Sequence, residues 1–356
     1  MREAERFFVF SEDLRRVLSQ RNNLPFKNYI GQDAAVDKIL DLIYQGYSNH
    51  CHRVQENIML AGPPSTGKTT LVKMIAESLS ITTVITDANQ VNNGVSIGKA
   101  NVSGGPDTVI HLMLDAIAKD PNMRPLKGLD AGSFTLYKIP PVIFFIDEIH
   151  GLNRKTADAL LKATERNDSM LFGRSQVVDC SNIFWIGATT DWGKLPPAFR
   201  TRFLRIDLIA PSKEEVEKIV HVHNPDLDAK DCKEIVFYTS SMPREALAFT
   251  RSVKRYRDRL GVSLHKAIVE CARREGIDKY GMHRQRLKLL YVLNRTNDGV
   301  NLRNLCSALS LEKDEVLNHW LPPLLNSSPA LVSFDHSVYR ITDAGKKELE
   351  IRKQVT

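Results

Sequence analysis

Residues 62–70, Gly62-Pro-Pro-Ser-Thr-Gly67-Lys68-Thr69-Thr70, have the make-up of a phosphate cradle. They follow the apolar run 58–61 and precede a helical pattern. The GxxxxGK[ST] spacing needs that context, strand before and helix after. Gly62 and Gly67 let the backbone curl so that successive N–H groups point inward at phosphate oxygens. A helix beginning at Lys68 adds its positive end. Lys68 is placed to reach the β- and γ-phosphates, and the Thr69 hydroxyl to ligate Mg²⁺. The expected ligands of this loop are therefore ATP and Mg²⁺, with Thr70 completing the motif.

A second group of polar residues ends the apolar run 142–146, which reads VIFFI-Asp147-Glu148-Ile-His150. Asp147 at that strand edge suits a Mg²⁺ ion held through water. Glu148 suits polarisation of the water that attacks the γ-phosphate. His150 reads either as part of the phosphate network or as a turn residue. A third group, Gly187-Ala-Thr189-Thr190-Asp191, ends the next apolar strand and offers hydroxyls beside the acids. Arg200 and Arg202, in Pro196-Pro-Ala-Phe-Arg-Thr-Arg-Phe, suit an arginine finger, which acts on a neighbouring subunit's ATP. Met242-Pro243-Arg244 opens a helix, with Pro in the first turn. Arg244 there can swing onto a nucleotide when domains close.

Short runs apolar on both sides must position these groups. IMLA (58–61), TTVIT (82–86), VIFFI (142–146) and IFWIGA (183–188) suit buried parallel strands. Helical patterns at 68–79, 107–119 and 155–165 lie between them, so the expected fold is α/β with a parallel sheet. After Pro211 the β-rich runs stop and residues 212–277 read as helices. From 283 three helical patterns precede ALVSF and SVYRIT, split by a turn at Asp335-His336. Three helices and a terminal hairpin outline a winged helix. The expected domains are an N-terminal extension (1–21) holding an amphipathic helix, a large P-loop domain (22–210), a helical lid (211–282) and a winged-helix domain (283–356).

The order of these motifs resembles the AAA+ ATPases of the Holliday-junction branch-migration motor family, RuvB. DEIH followed by GLNR, and GATT with FRTRF, are the more specific elements; the similarity spans roughly residues 22–352. The resemblance implies that Tyr29 and Ile30, in Tyr29-Ile-Gly-Gln32, flank adenine. It implies that Thr190 is sensor 1, Arg200 the finger and Arg244 sensor 2, with Arg202 a neighbouring candidate. It further implies a homo-oligomeric ring, a hexamer, acting on duplex or four-way-junction DNA. Three departures stand out. The interval 165–182, where the family has a hairpin that binds its junction-recognising partner, is short and polar, so no protruding apolar hairpin is expected and that partner is in doubt. Asn22-Asn23 replaces an Arg-Pro pair. The span between the P-loop helix and DEIH is enlarged, and Lys99 or Lys127 in it reads either as a DNA contact or as part of a surface loop.

The whole chain has 356 residues, 42% of them apolar and 26% charged, with a net charge of +7. No run is long enough for a membrane span, no secretory signal is evident, and five scattered cysteines form no CxxC pair. A cytoplasmic protein with small buried cysteines and no membrane partner is expected. The bases outnumber the acids 24 to 22 over residues 1–210, 14 to 12 over 211–282 and 11 to 8 over 283–356, so no basic arm carries the excess. The densest cluster, Arg251 to Arg259, reads either as a nucleic-acid footprint or as a solvated helix face. The expected activity is an ATP-hydrolysing ring motor on DNA. The alternative is a clamp- or helicase-loader-like assembly factor that remodels a protein partner on DNA. A non-hydrolysing module ranks last because Lys68, Thr69, Asp147 and Glu148 are all present.

Overall fold

The computed structural model describes residues 26, 29–48, 56–79, 81–97, 100–121, 126, 128–130, 132–165, 169–239, 242–296, 298–325, 327 and 329–353. Contacts divide the chain between Ala210 and Pro211 into two compact units.

The first unit runs in chain order through α1 (Asp33–Ser48), β1 (Asn57–Ala61), α2 (Lys68–Leu79), β2 (Thr83–Asp87), α3 (Ala88–Asn93), β3 (Gly94–Ile97), β4 (Ala100–Ser103), α4 (Pro106–Lys119), β5 (Leu129–Asp130), β6 (Thr135–Lys138), β7 (Val142–Asp147), α5 (Arg154–Ala163), β8 (Met170–Phe172), β9 (Gln176–Asp179), β10 (Ile183–Thr189), α6 (Pro197–Arg200) and β11 (Phe203–Asp207). Five of the strands form one parallel sheet in the order β11-β1-β10-β7-β2. Its apolar runs do not alternate with polar residues because both faces are covered. Met59, Phe144 and Trp185 face a core with Val109, Ile110 and Met113 of α4 and Leu160 of α5. Ile58, Leu60, Phe145 and Ile186 face the other, with Ile39 of α1 and Leu71 and Ile75 of α2. The sheet order sets β1, β10 and β7 side by side, so the three polar groups at their carboxyl ends meet along one edge. Such an edge is where open α/β sheets bind ligands.

The second unit contains two separate cores. Helices α7 (Lys213–His223), α8 (Ala229–Phe237), α9 (Pro243–Leu260) and α10 (Leu264–Arg274) enclose Val216, Val220, Ile235, Phe249, Val253 and Ile268. Ser212 and Asp228 cap α7 and α8 with reciprocal capping boxes, and left-handed Gly261 ends α9. The other core gathers α11 (Arg284–Asn294), β12 (Val300–Asn301), α12 (Leu302–Leu309), α13 (Lys313–Glu315) with a π-helical turn over Val316–Trp320, α14 (Pro322–Leu325), β13 (Val332–Asp335), β14 (Val338–Ile341) and α15 (Asp343–Lys353). Its sheet is antiparallel in the order β12-β14-β13. Helix, strand, two helices and a hairpin is the element order of a winged helix.

Several expectations need correcting. No protruding apolar hairpin is expected in the interval 165–182; within it residues 170–179 form a short hairpin, Met170, Leu171 and Phe172 pairing with Asp179, Val178 and Val177. A polar composition over the whole interval hid a few apolar residues, of which Leu171, Val177 and Val178 are buried and Phe172 is 57% exposed. The hairpin joins β5 and β6 of the enlarged span in a four-stranded sheet, β5-β6-β9-β8. Strand β11 was not anticipated; its exposed Arg205 and Asp207 mask a short edge strand. The C-terminal hairpin is not terminal, because polar α15 follows and contributes Leu349 to the core. Its turn is one residue later than expected: His336 and Ser337 both take left-handed φ, 47° and 65°, the pattern of a tight type I′ hairpin. The helix expected within 1–20, Asn22-Asn23, Lys99 and Lys127 lie outside the described residues. Cys180, Cys232 and Cys271 are buried, which raises their thiol pKa values, whereas Cys306 is half-buried. Cys51 is outside the described residues. Among the described residues no helix is long and apolar enough to cross a membrane.

Candidate nucleotide site

The phosphate loop leaves β1 at Ala61, where the backbone is held from both sides. Leu208 N–H donates to Ala61 O at 2.7 Å and Gly62 N–H to Thr189 O at 3.2 Å. A Cβ on Gly62 would lie 2.3 Å from Leu208 O, so only glycine lets the strands close here. Ser65 and Gly67 take positive φ, 64° and 87°, which curls the loop into α2. Lys68 is 7% exposed and its Nζ donates to Gly62 O and Pro63 O, both at 2.9 Å. The ammonium is thus kept over the mouth of the loop.

The resemblance placed Tyr29 beside adenine. Its ring packs against Gly67, and its hydroxyl donates to Thr66 O and Gly67 O at 3.3 Å each. Burial pushes the phenol pKa well up, so the group remains a donor. Ile30 follows, half-buried. Gln32 fixes this segment to the end of the sheet: Nε2 donates to Ile209 O at 2.5 Å, and Ile209 N–H donates to Oε1 at 3.0 Å.

Beside the loop, Thr69 Oγ1 donates to Asp147 Oδ2 at 3.1 Å, while Asp147 Oδ1 accepts from Glu148 N–H at 3.0 Å. Glu148 takes a left-handed backbone (φ 47°, ψ 45°), a strain of about 1–3 kcal/mol for a residue with a Cβ. The turn over Ile149–Gly151 sustains it, with Gly151 N–H donating to Glu148 O at 2.8 Å. That conformation turns the carboxylate towards β10. Thr190 donates to Glu148 Oε2 through its N–H (3.1 Å) and its hydroxyl (2.9 Å), and His150 Nδ1 lies 3.2 Å from the same oxygen. His150 Nδ1 also meets Thr189 Oγ1 at 2.9 Å, so this histidine belongs to the network of the acid.

Two further residues support this network. Thr189 positions His150 and accepts from Asp191 N–H at 3.0 Å. Asn92 sits at the end of α3 and braces the turn after Glu148. Its Nδ2 donates to Gly151 O at 2.8 Å, and its Oδ1 accepts from Asn153 N–H at 2.9 Å. The available signal was Asp87, whose side chain caps α3, followed by Gly94, where a Cβ would meet Val102 O at 2.1 Å.

The two arginines after Pro196 differ in their restraint. Arg200 donates to Leu195 O (2.9 Å) and Gly193 O (2.6 Å), all neutral partners. Arg202 donates to Leu161 O and Ala198 O and also pairs with Glu165 at 3.5 Å. The Glu165 carboxyl is held below the usual range by Lys162 first and then Arg202. In the second unit, Arg244 is exposed in the first turn of α9.

The Thr69 hydroxyl and the Asp147 carboxylate form an all-oxygen pair suited to Mg²⁺, which typically takes one or two protein oxygens and completes its shell with waters and phosphates. No cluster of three or more metal-ligating His, Cys, Asp or Glu occurs among the described residues.

A curled glycine loop, a carboxylate pair and a hydroxyl-bearing strand tip on this sheet edge define a nucleotide-binding ATPase of the P-loop type. Residues 58–210 match the family model described as "ATPase family associated with various cellular activities (AAA)". Beyond that unit, the chain is 29% identical to the Holliday junction branch migration complex subunit RuvB of Ehrlichia chaffeensis, over 84% of each chain. It is also 29% identical to that of Fervidobacterium nodosum, over 84% of this chain and 80% of the relative. The solved structure of the Thermotoga maritima RuvB Holliday junction branch migration motor superposes with a TM-score of 0.67 at 20% identity, over 90% of this chain and 95% of that one, and so shares the fold. The chain therefore carries an AAA-type ATPase unit over residues 58–210 and is similar to RuvB over most of its length.

Proposed function

We propose that the protein is an ATP-driven motor on DNA that works as a homo-oligomeric ring, a hexamer. The observation that carries this reading is the reach of the similarity. A match over 316 residues cannot be confined to the 210 residues of the ATPase unit, so the helical and winged-helix regions belong to it too. In this reading residues 22–210, 211–282 and 283–356 are the ATPase domain, lid and DNA-binding domain. A loader-like assembly factor is not favoured, because these relatives carry the motor's name.

The chemistry follows from the geometry. Gly62, Gly67 and the amides through Thr70 cradle the phosphates, and Lys68 exchanges two carbonyl partners for phosphate oxygens. Tyr29 and Ile30 flank adenine, with Tyr29 also supporting the loop from behind. Thr69 and Asp147 hold Mg²⁺, which when bound neutralises charge on the β- and γ-phosphates. Water attacks the γ-phosphorus, its proton passes to Glu148, and the β–γ bridging oxygen leaves with ADP. Thr190 and His150 orient Glu148 for that transfer. Arg200 reaches the neighbouring subunit's γ-phosphate; releasing it costs two carbonyl contacts, whereas Arg202 would also abandon Glu165. Arg244 reports the nucleotide state to the lid. The exposed Phe172 and Leu129 of the small sheet leave apolar surface where the resemblance places a junction-recognising partner.

An ATPase assay with duplex, forked and four-way-junction DNA tests this reading. DNA should stimulate turnover, less so as salt rises. Turnover indifferent to every DNA at low salt would overturn it.

A further inference from the structure

The densest basic stretch of the sequence lies on α9, and the structure gives part of it a common direction. Arg251, Arg255 and Arg259 are four residues apart, which stacks them on one side of a helix at about 6 Å intervals. Helix α10 packs alongside and brings Arg274 over the same surface, its guanidinium 4.6 Å from the Tyr256 ring, with that of Arg259 5.7 Å from the same ring. A planar guanidinium held on an aromatic face is pre-organised to meet an oxyanion. A groove of about 420 Å³ separates the helices, with Arg255, Tyr256 and Arg259 on one wall and Cys271, Arg274 and Glu275 on the other.

The charges in this groove are under-compensated. Lys254 and Arg257, elsewhere on α9, have Asp226 and Asp258 as partners. Arg255 bonds only neutral acceptors among the described residues, Arg251 O and Ser252 Oγ. Arg273 and Arg274 share the single carboxylate of Glu270, so one positive charge of that trio is left over. Glu275 is the one acid lining the groove. The basic surface leads towards the winged helix: Arg284 N–H donates to Gly276 O at 2.9 Å, starting α11, which exposes Arg284 and Lys288. The wing hairpin itself carries a single Lys or Arg, Arg340.

We propose that the α9–α10 groove is a second DNA contact, in which Arg255, Arg259 and Arg274 take backbone phosphates of duplex DNA and supply the grip that the wing lacks. The idea rests on the motor reading above. Guanidiniums recognise phosphate in two-pronged fashion without reading sequence, as a motor moving along any duplex requires. The length of the stripe favours a polymer of phosphates over a single small anion.

The test is duplex binding by the full chain between about 50 and 200 mM salt, comparing wild type with the triple variant Arg255→Gln, Arg259→Gln, Arg274→Gln and with the corresponding triple lysine variant. All three side chains are exposed, so the fold should persist, and ATP turnover without DNA should be unchanged. At about 0.9 per phosphate, the glutamine variant should lose about 2–3 from the log–log salt slope and about 100-fold in affinity at low salt. The lysine variant should keep the slope. A glutamine variant with the wild-type slope and affinity overturns the groove's role and leaves the motor reading intact. The same overturning follows if that variant loses only binding to polyglutamate, which would mark an acidic-protein site. Wild-type protein that binds no duplex at low salt would sink the motor reading itself.

Discussion

The two units of this chain hold their charged groups in opposite ways. At the sheet edge of the first, each ionic group has an assigned place: Lys68 on two carbonyls, Asp147 on Thr69, Glu148 on Thr190 and His150. On α9 and α10 of the second, arginines rest on an aromatic ring or on their own helix. The contrast follows from the tasks. Phosphoryl transfer tolerates little displacement of the reacting groups, so they need fixed partners. Backbone binding needs positive charge on a face and is insensitive to the exact position of each base.

The largest effect should come from the finger. Arg200→Ala is expected to lower turnover about 10³–10⁵-fold in a homogeneous ring. Assemblies mixed with an ATP-site variant that supplies Arg200 should regain activity; no recovery would contradict a role in trans. Glu148→Gln should reduce kcat about 10²–10⁴-fold with ATP binding retained, measured by single-turnover kinetics and nucleotide titration. Retained turnover would place the base elsewhere.

Stability sharpens the same comparison. Phe145 of β7 is fully buried on one face of the sheet, and Phe145→Ala should cost about 3–5 kcal/mol in denaturant unfolding of the first unit. Asp228→Ala removes one capping box from α8 and should cost about 1 kcal/mol, read from the second unit. The smallest effect concerns Glu270, whose pKa is lowered to about 2, by Arg273 first and then Arg274. A depressed carboxylate stabilises the fold above its usual pKa and loses that contribution as pH falls through about 2. An NMR titration of Glu270 should find its midpoint there; a midpoint near 4.5 would show that the arginines do not hold it.

How far the sequence was legible follows the same division. The four anticipated strands and the P-loop were readable because burial on both faces and the GK[ST] spacing leave local marks. Thr190 and Glu148 came from a strand tip and a resemblance, and the structure brings them to 2.9 Å. Asn92 acts through contacts with Gly151 and Asn153, 59 and 61 residues away, and Gln32 through Ile209, 177 residues away; neither has a local pattern. The hairpin at 170–179 was hidden because its few apolar residues lie in a polar interval. Strand β11 was hidden because Arg205 and Asp207 break its apolar run where they are exposed at the sheet's edge. The basic cluster was visible as composition, but which arginines share a groove depended on how α10 packs on α9.

The central claim is that hydrolysis in the first unit drives movement on DNA through the second. Dissociation of a labelled four-way junction by the purified protein tests it most directly. Wild type should separate the junction only with ATP and Mg²⁺, while Glu148→Gln should bind the junction and leave it intact. ATP-independent separation, or equal separation by Glu148→Gln, would contradict the account.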